Sequence, residues 1–113
     1  MLLYGIKTCD TCRKALKALE AAGKDATFVD VRTEAVSPET LSGWFEALGP
    51  ALVNRRSTTW KELSEADRAK ADSADGAIAL MKTHPTLMKR PVIEADGKVT
   101  LGWTKGVMDE FGV

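Results

Sequence analysis

At 113 residues, with 44% hydrophobic and 28% charged side chains, the chain has the size of one domain, and such a domain buries about two-thirds of the surface that its unfolded chain exposes. Sixteen lysines and arginines balance sixteen aspartates and glutamates, so no net field draws in nucleic acid or an anionic membrane, and any affinity for an anion must be local. The longest apolar run, Ala77 to Met81, is far short of the roughly 20 residues that cross a bilayer. Met1-Leu2-Leu3-Tyr4-Gly5-Ile6 has neither a basic n-region nor a small-residue cleavage site, so it reads as a strand and the expected location is the cytoplasm.

Leu2 to Ile6 is a short buried strand. The apolar positions Cys12, Ala15, Leu16, Leu19 and Ala22 then follow the spacing of a core-facing helix that stops at Gly23. Ala26 to Val31 is β-branched and aromatic, a second strand parallel to the first, so residues 2 to 31 form a βαβ unit of about the minimum size. Ser37-Pro38-Glu39 opens a helix with Leu41, Trp44, Phe45 and Leu48 on its inner face, and Gly49-Pro50 ends it. Residues 51 to 59 have no sustained period, and a short helix resumes near Trp60 and Leu63. Ser64 caps another short helix, and Ser73 a third carrying Ala77, Ile78, Leu80 and Met81 up to Pro85. Pro91 to Ala95 and Lys98 to Leu101 form a hairpin around Asp96-Gly97, a dipeptide that accepts positive φ at both positions. Thr104 caps a last helix with Val107, Met108 and Phe111 facing inward. The expected architecture is a single α/β domain over residues 1–113, with βαβ followed by ββα around a mixed four-stranded sheet and a helical insertion at about 37–84.

Only two cysteines are present, as Cys9-Asp10-Thr11-Cys12. They close too small a loop to stabilise by restricting the unfolded chain. With one histidine and no second cysteine pair, the chain lacks the four ligands of a closed zinc site, so no metal or bound cofactor is expected. A CxxC where the first strand of a βαβ unit passes into its helix is the arrangement of thioredoxin-like redox proteins. Unpaired N–H groups and the positive end of the helix dipole favour a thiolate at Cys9, the nucleophile of disulfide exchange. Cys12, one turn in, can attack a mixed disulfide at Cys9 and release the partner. Asp10 opposes the thiolate; Arg13, and Arg90 if the fold brings it near, would favour it. A buried pair of inert residues is the alternative, since Cys12 lies on the apolar stripe.

Pro91 is tolerated at the first residue of a strand, through a cis bond if the turn requires one. In a thioredoxin fold this junction faces the CxxC, which would make Arg90 a cation whose planar fork holds a carboxylate or oxyanion. Otherwise Lys89-Arg90 is a solvated pair. Arg55-Arg56 with Ser57, Thr58 and Thr59 reads first as a solvated loop and second as a weaker anion site, and His84 reads as a neighbour of a helix C-terminus.

These residues resemble the arsenate reductase (ArsC) family, in its Spx/YffB-like branch, over nearly the whole chain: Leu3 to Ala15 around the CxxC, Asn54-Arg55-Arg56-Ser57-Thr58-Thr59-Trp60, and His84-Pro85 with Lys89-Arg90-Pro91-Val92. The resemblance implies a thioredoxin-like fold with an inserted helical subdomain, Cys9 as the nucleophile, and Arg90 as the anion-binding arginine before a cis proline. Thr11, Asn54, Arg55, Arg56 and Pro91 are the accompanying substrate- or anion-binding candidates. Arsenate reductases of the family are similar in using three arginines. Here Arg90 is kept, Gly102 stands at the position after the hairpin, and the middle position falls near Asn54, with Arg55 or Arg56 as stand-ins. The implied function is a monomeric thiol-disulfide oxidoreductase coupled to glutathione or glutaredoxin. A redox-sensing regulator that binds the RNA polymerase α subunit is the alternative, and arsenate reduction a third reading.

Overall fold

The computed structural model describes all 113 residues, which form two compact units: Met1–Glu34 with Arg90–Val113, and Ala35–Lys89. The first unit holds a four-stranded sheet of β1 (Leu2–Gly5), β2 (Thr27–Asp30), β3 (Val92–Ala95) and β4 (Lys98–Leu101) in the order β2-β1-β3-β4. β1 and β2 are parallel, with Leu3 opposite Phe28; β3 runs antiparallel to β1, with Ile93 opposite Leu3, and to β4. The mixed sheet and its βαβ-then-ββα order are those of a thioredoxin-like α/β fold.

Helix α1 (Asp10–Ala21) connects β1 to β2. The spacing of Cys12, Ala15 and Leu19 places all three on one face, where they join Leu3 and Ile93 in a core with no solvent exposure. Half-buried Leu16, Phe28, Trp103 and Phe111 border that core. The helix stops as expected: Gly23 takes φ +77°, a conformation that costs glycine little, and the next amide, of Lys24, bonds back to the Leu19 carbonyl at 3.0 Å. In the hairpin turn Asp96 (φ 52°) and Gly97 (φ 77°) both adopt the positive values that match the twist of the flanking strands.

The second unit is helical: α2 (Pro38–Leu48), α3 (Thr58–Glu62), α4 (Glu65–Lys70) and α5 (Ala74–Thr83), with 3-10 turns at Gly49–Leu52 and Pro85–Leu87. Its helices start where short polar side chains satisfy free amides. Ser37 accepts from Thr40 N, Ser57 from Trp60 N, Ser64 from Asp67 N and Ser73 from Gly76 N, each at 3.1 Å. Leu41 and Trp44 of α2 and Ala77, Leu80 and Met81 of α5 are buried where these two helices pack together. Phe45, Leu48 and Ile78 are only half-buried.

The last helix, α6 (Lys105–Glu110), belongs to the first unit and is capped by Thr104, which accepts from Val107 N at 3.3 Å. Val107, Met108 and Phe111 are half-buried and not enclosed, because a six-residue helix presents one short face. Within residues 51 to 59, where the sequence shows no period, Val53 forms an isolated bridge to Met88 and α3 begins at Thr58. No helix is long and apolar enough to cross a membrane.

Candidate active site at the start of α1

The turn between β1 and α1 is short. Cys9 N donates to the Ile6 carbonyl at 3.0 Å, and Arg13 N donates to the Cys9 carbonyl at 3.0 Å to begin the helix. Cys9 is thus the N-cap, extended at φ −83° and ψ 118°, and its side chain makes no capping bond of the usual kind. It stands half-buried, while Cys12 is fully enclosed and both thiols are free. Thr11 is exposed beside them.

The two sulfurs are electrostatically unequal. Burial pushes the Cys9 thiol up, but the Cys12 backbone N–H, the Cys12 thiol and the Arg90 guanidinium all favour the anion, and the net effect holds Cys9 below its ordinary value. Cys12 goes the other way. Burial is the main cause, and the hydrogen bond and negative charge of Cys9 add to it against weaker opposition from the Ile6 backbone and Arg90, so the thiol is pushed up to about 11. The surroundings favour the anion at one sulfur and the protonated thiol at the other.

Arg90 therefore reaches the site across a long sequence separation. Its peptide bond to Pro91 is cis, and Pro91 is buried where β3 begins. The Pro91 carbonyl accepts from Gly102 N at 2.8 Å, which fixes the junction against the end of β4. Arg13, expected to favour the thiolate, is engaged elsewhere: its Nε donates to the Lys7 carbonyl at 2.7 Å. Cys9, Cys12, Thr11, Arg90 and Pro91 lie in the first unit, whereas Asn54, Arg55 and Arg56 lie in the second. There Asn54 Oδ1 accepts from Arg56 N at 3.1 Å, and the Arg55 guanidinium rests 5.1 Å from the centre of the Trp60 ring and 4.0 Å from Asp72. No group of three or more histidine, cysteine or acidic side chains is arranged to hold a metal ion.

Two residues near the site carried no signal in the sequence. Gly5, the last residue of β1, lies directly against Cys12: a Cβ built on it would stand 2.5 Å from Cys12 Sγ and 3.1 Å from Cys12 Cβ. A glycine within an apolar strand was the only available hint, since it marks a place where something packs closely on the backbone. Replacing Gly5 by alanine is expected to cost about 1–3 kcal/mol, the range for overpacking a well-filled core. Urea unfolding measures it, and Cys12→Ala in the same background should recover part of the loss; equal stability of Gly5→Ala and wild type would contradict the packing. The other residue is Asp30, the one buried acidic side chain. Arg32 N and Lys7 N donate to its two carboxylate oxygens at 2.9 and 3.1 Å. Although burial works against the anion, those amides and the Arg32 side chain hold the carboxyl below its usual range.

The ArsC family model matches residues 4–111. The chain belongs to the ArsC family. It is 38% identical over 109 residues to an uncharacterized protein of Haemophilus influenzae, covering 91% of this chain and 90% of that one. Among solved structures, a YFFB protein shares 34% identity with a TM-score of 0.88 and 96% coverage of both chains. An arsenate reductase (ArsC) related protein from Brucella melitensis shares 38% identity, with a TM-score of 0.75 and coverage of 99% and 94%. The family match spans the segment from β1 to α6, and both structural matches cover at least 96% of this chain, so the likeness extends over the whole fold.

Proposed function

We propose that this ArsC-family chain is a thiol-disulfide oxidoreductase whose nucleophile is Cys9. The observation that carries the reading is the environment of the Cys9 sulfur, where a helix-start N–H, a neighbouring thiol and a guanidinium together outweigh burial and favour the thiolate. In the first step the Cys9 thiolate attacks one sulfur of a substrate disulfide. A Cys9 mixed disulfide forms, the substrate S–S bond breaks, and the second substrate sulfur leaves as a thiolate that takes a proton from water.

Resolution then needs a second thiolate. Part of what keeps Cys12 protonated is the negative charge and hydrogen bond of Cys9, and both vanish once Cys9 is in a mixed disulfide. Cys12 becomes more acidic at the step in which it is needed, and its attack leaves a Cys9–Cys12 disulfide and a free substrate thiol. Two molecules of an external thiol, for which glutathione is the proposed source, reduce that disulfide and become oxidised in turn. Arg90 supplies the fork that fits a glutathione carboxylate. The Brucella neighbour is an arsenate reductase (ArsC) related protein, but here the position after the hairpin is Gly102, buried and at φ +78°. It contributes no cation to bind an oxyanion, which favours a disulfide over arsenate.

Alkylation of Cys9 by iodoacetamide, followed by peptide mass spectrometry across pH, tests the reading. The half-maximal rate is expected below the ordinary thiol value, together with glutathione-dependent reduction of a small mixed disulfide. A Cys9 that titrates at or above the ordinary value would remove the basis for the proposal.

A further inference from the structure

The turn that carries Cys9 is held at a single residue from two sides, through the two peptide groups that flank it. Lys7 lies at its centre, between Ile6, whose carbonyl takes the Cys9 N–H, and Cys9 itself. The Lys7 N–H points to Asp30 Oδ2 at 3.1 Å, and the Lys7 carbonyl accepts from Arg13 Nε at 2.7 Å. Asp30 is firmly placed at the end of β2. It pairs in register with Gly5, its Oδ1 is taken by Arg32 N at 2.9 Å and faces the Arg32 guanidinium at 3.6 Å, and its own carbonyl accepts from Thr33 N and Glu34 N. Arg13 is placed by the first turn of α1, where its amide meets the Cys9 carbonyl. The Lys7 side chain is exposed and uninvolved. An exposed turn of this length would otherwise be free to tilt, and the alignment of a sulfur with a helix-start N–H is lost within a fraction of the hydrogen-bond length.

We propose that Asp30 and Arg13 are positioning residues for Cys9, a carboxylate and a guanidinium that clamp the Lys7 backbone N–H and carbonyl between the end of β2 and the start of α1 and so hold the Cys9 sulfur against the Cys12 N–H and Arg90. The inference rests on the reading of Cys9 as a reactive thiolate. It assigns a task to a buried acidic residue that touches neither cysteine, and to an arginine that the sequence suggested would act by its charge. The geometry gives that arginine a hydrogen-bonding role.

The iodoacetamide pH–rate profile of Cys9 separates these roles. In Asp30→Asn the amide offers one acceptor where two N–H groups need one each; in Arg13→Met the donor is gone while the stem remains. Each is expected to move the half-maximal point upward by about half a unit or more, equivalent to roughly a threefold loss of rate on the low-pH side. Lys14→Met removes an equal charge one residue further along the exposed face of α1 without touching Lys7, and should leave the profile in place. Arg13 is exposed, so Arg13→Met keeps the wild-type melting temperature even if Asp30→Asn does not fold, and faster exchange of the Lys7 amide should accompany its shift. The clamp is overturned if Arg13→Met and Lys14→Met behave alike, or if a folded Asp30→Asn retains the wild-type profile. A wild-type profile already at the ordinary thiol value would instead count against the thiolate reading itself.

Discussion

Cys9→Ser is expected to reduce glutathione-dependent disulfide reduction by at least about a thousandfold, since removing a nucleophile eliminates the covalent step while leaving substrate binding in place. Cys12→Ser should behave differently. It retains the half-buried Cys9 beside Arg90 and the amide at position 12, so the attack step survives and the mixed disulfide accumulates. Intact-protein mass spectrometry after exposure to glutathione disulfide reads both outcomes. One added glutathione is expected on Cys12→Ser and none on Cys9→Ser. Equal labelling of the two variants would show that the buried sulfur is as accessible as the half-buried one, contrary to the complete enclosure of Cys12 against Gly5 and the α1 core.

Stability should fall at alkaline pH, and the cause lies in the same unit. Cys12 is pushed from 9.0 up to about 11, first by burial and then by Cys9. Tyr4 is pushed from 10.0 up to about 12 by burial, by its hydrogen bond to Glu94 Oε1 at 3.0 Å and by the charges of Glu94 and Glu34. A raised folded-state pKa gives stability that is fully present below the unfolded value and lost as pH rises through the folded one. The window therefore runs from about 9 to about 12. Cys9 has the opposite sign: its lowered value contributes stability above the ordinary thiol pKa, and that contribution is lost as pH falls through its own folded value. For fully enclosed Cys12 the alkaline loss amounts to about 3 kcal/mol. Urea midpoints of wild type and Cys12→Ala between pH 8 and 11 measure it together with the coupling of Cys12 to Cys9. The Cys12→Ala curve is expected to be the flatter of the two, and parallel curves would show that Cys12 ionises freely in the folded state.

Much of the fold is legible because its signals are local. Ser37, Ser64, Ser73 and Thr104 announce helix starts because a short oxygen side chain is what a free helix amide needs within three residues. Asp96-Gly97 announces the hairpin because few residue pairs tolerate two positive φ values. Ser57 escaped that reading: Asn54-Arg55-Arg56 ahead of it drew attention to charge, and α3 is too short to display a period. The half-burial of Val107, Met108 and Phe111 escaped it too, since spacing marks the inner face of a helix but not how much lies opposite.

The sequence by itself determined the chemistry on offer: one cysteine pair, at the junction where the first strand hands its chain to the first helix, in a molecule with no net charge to attract anions elsewhere. Those are properties of adjacent residues and of composition, and no folding is needed to read them. Tertiary structure decided the surroundings that set the two thiols apart, with Cys9 held below its ordinary value and Cys12 pushed up to about 11. That difference depends on Arg90 reaching Cys9 from the far end of the chain, on a missing side chain at Gly5 that lets Cys12 sink against the sheet, and on Asp30 accepting from the Lys7 amide of the turn. Each of these is a distance between residues far apart in the chain, and such distances are set by strand order and register, which local patterns do not encode.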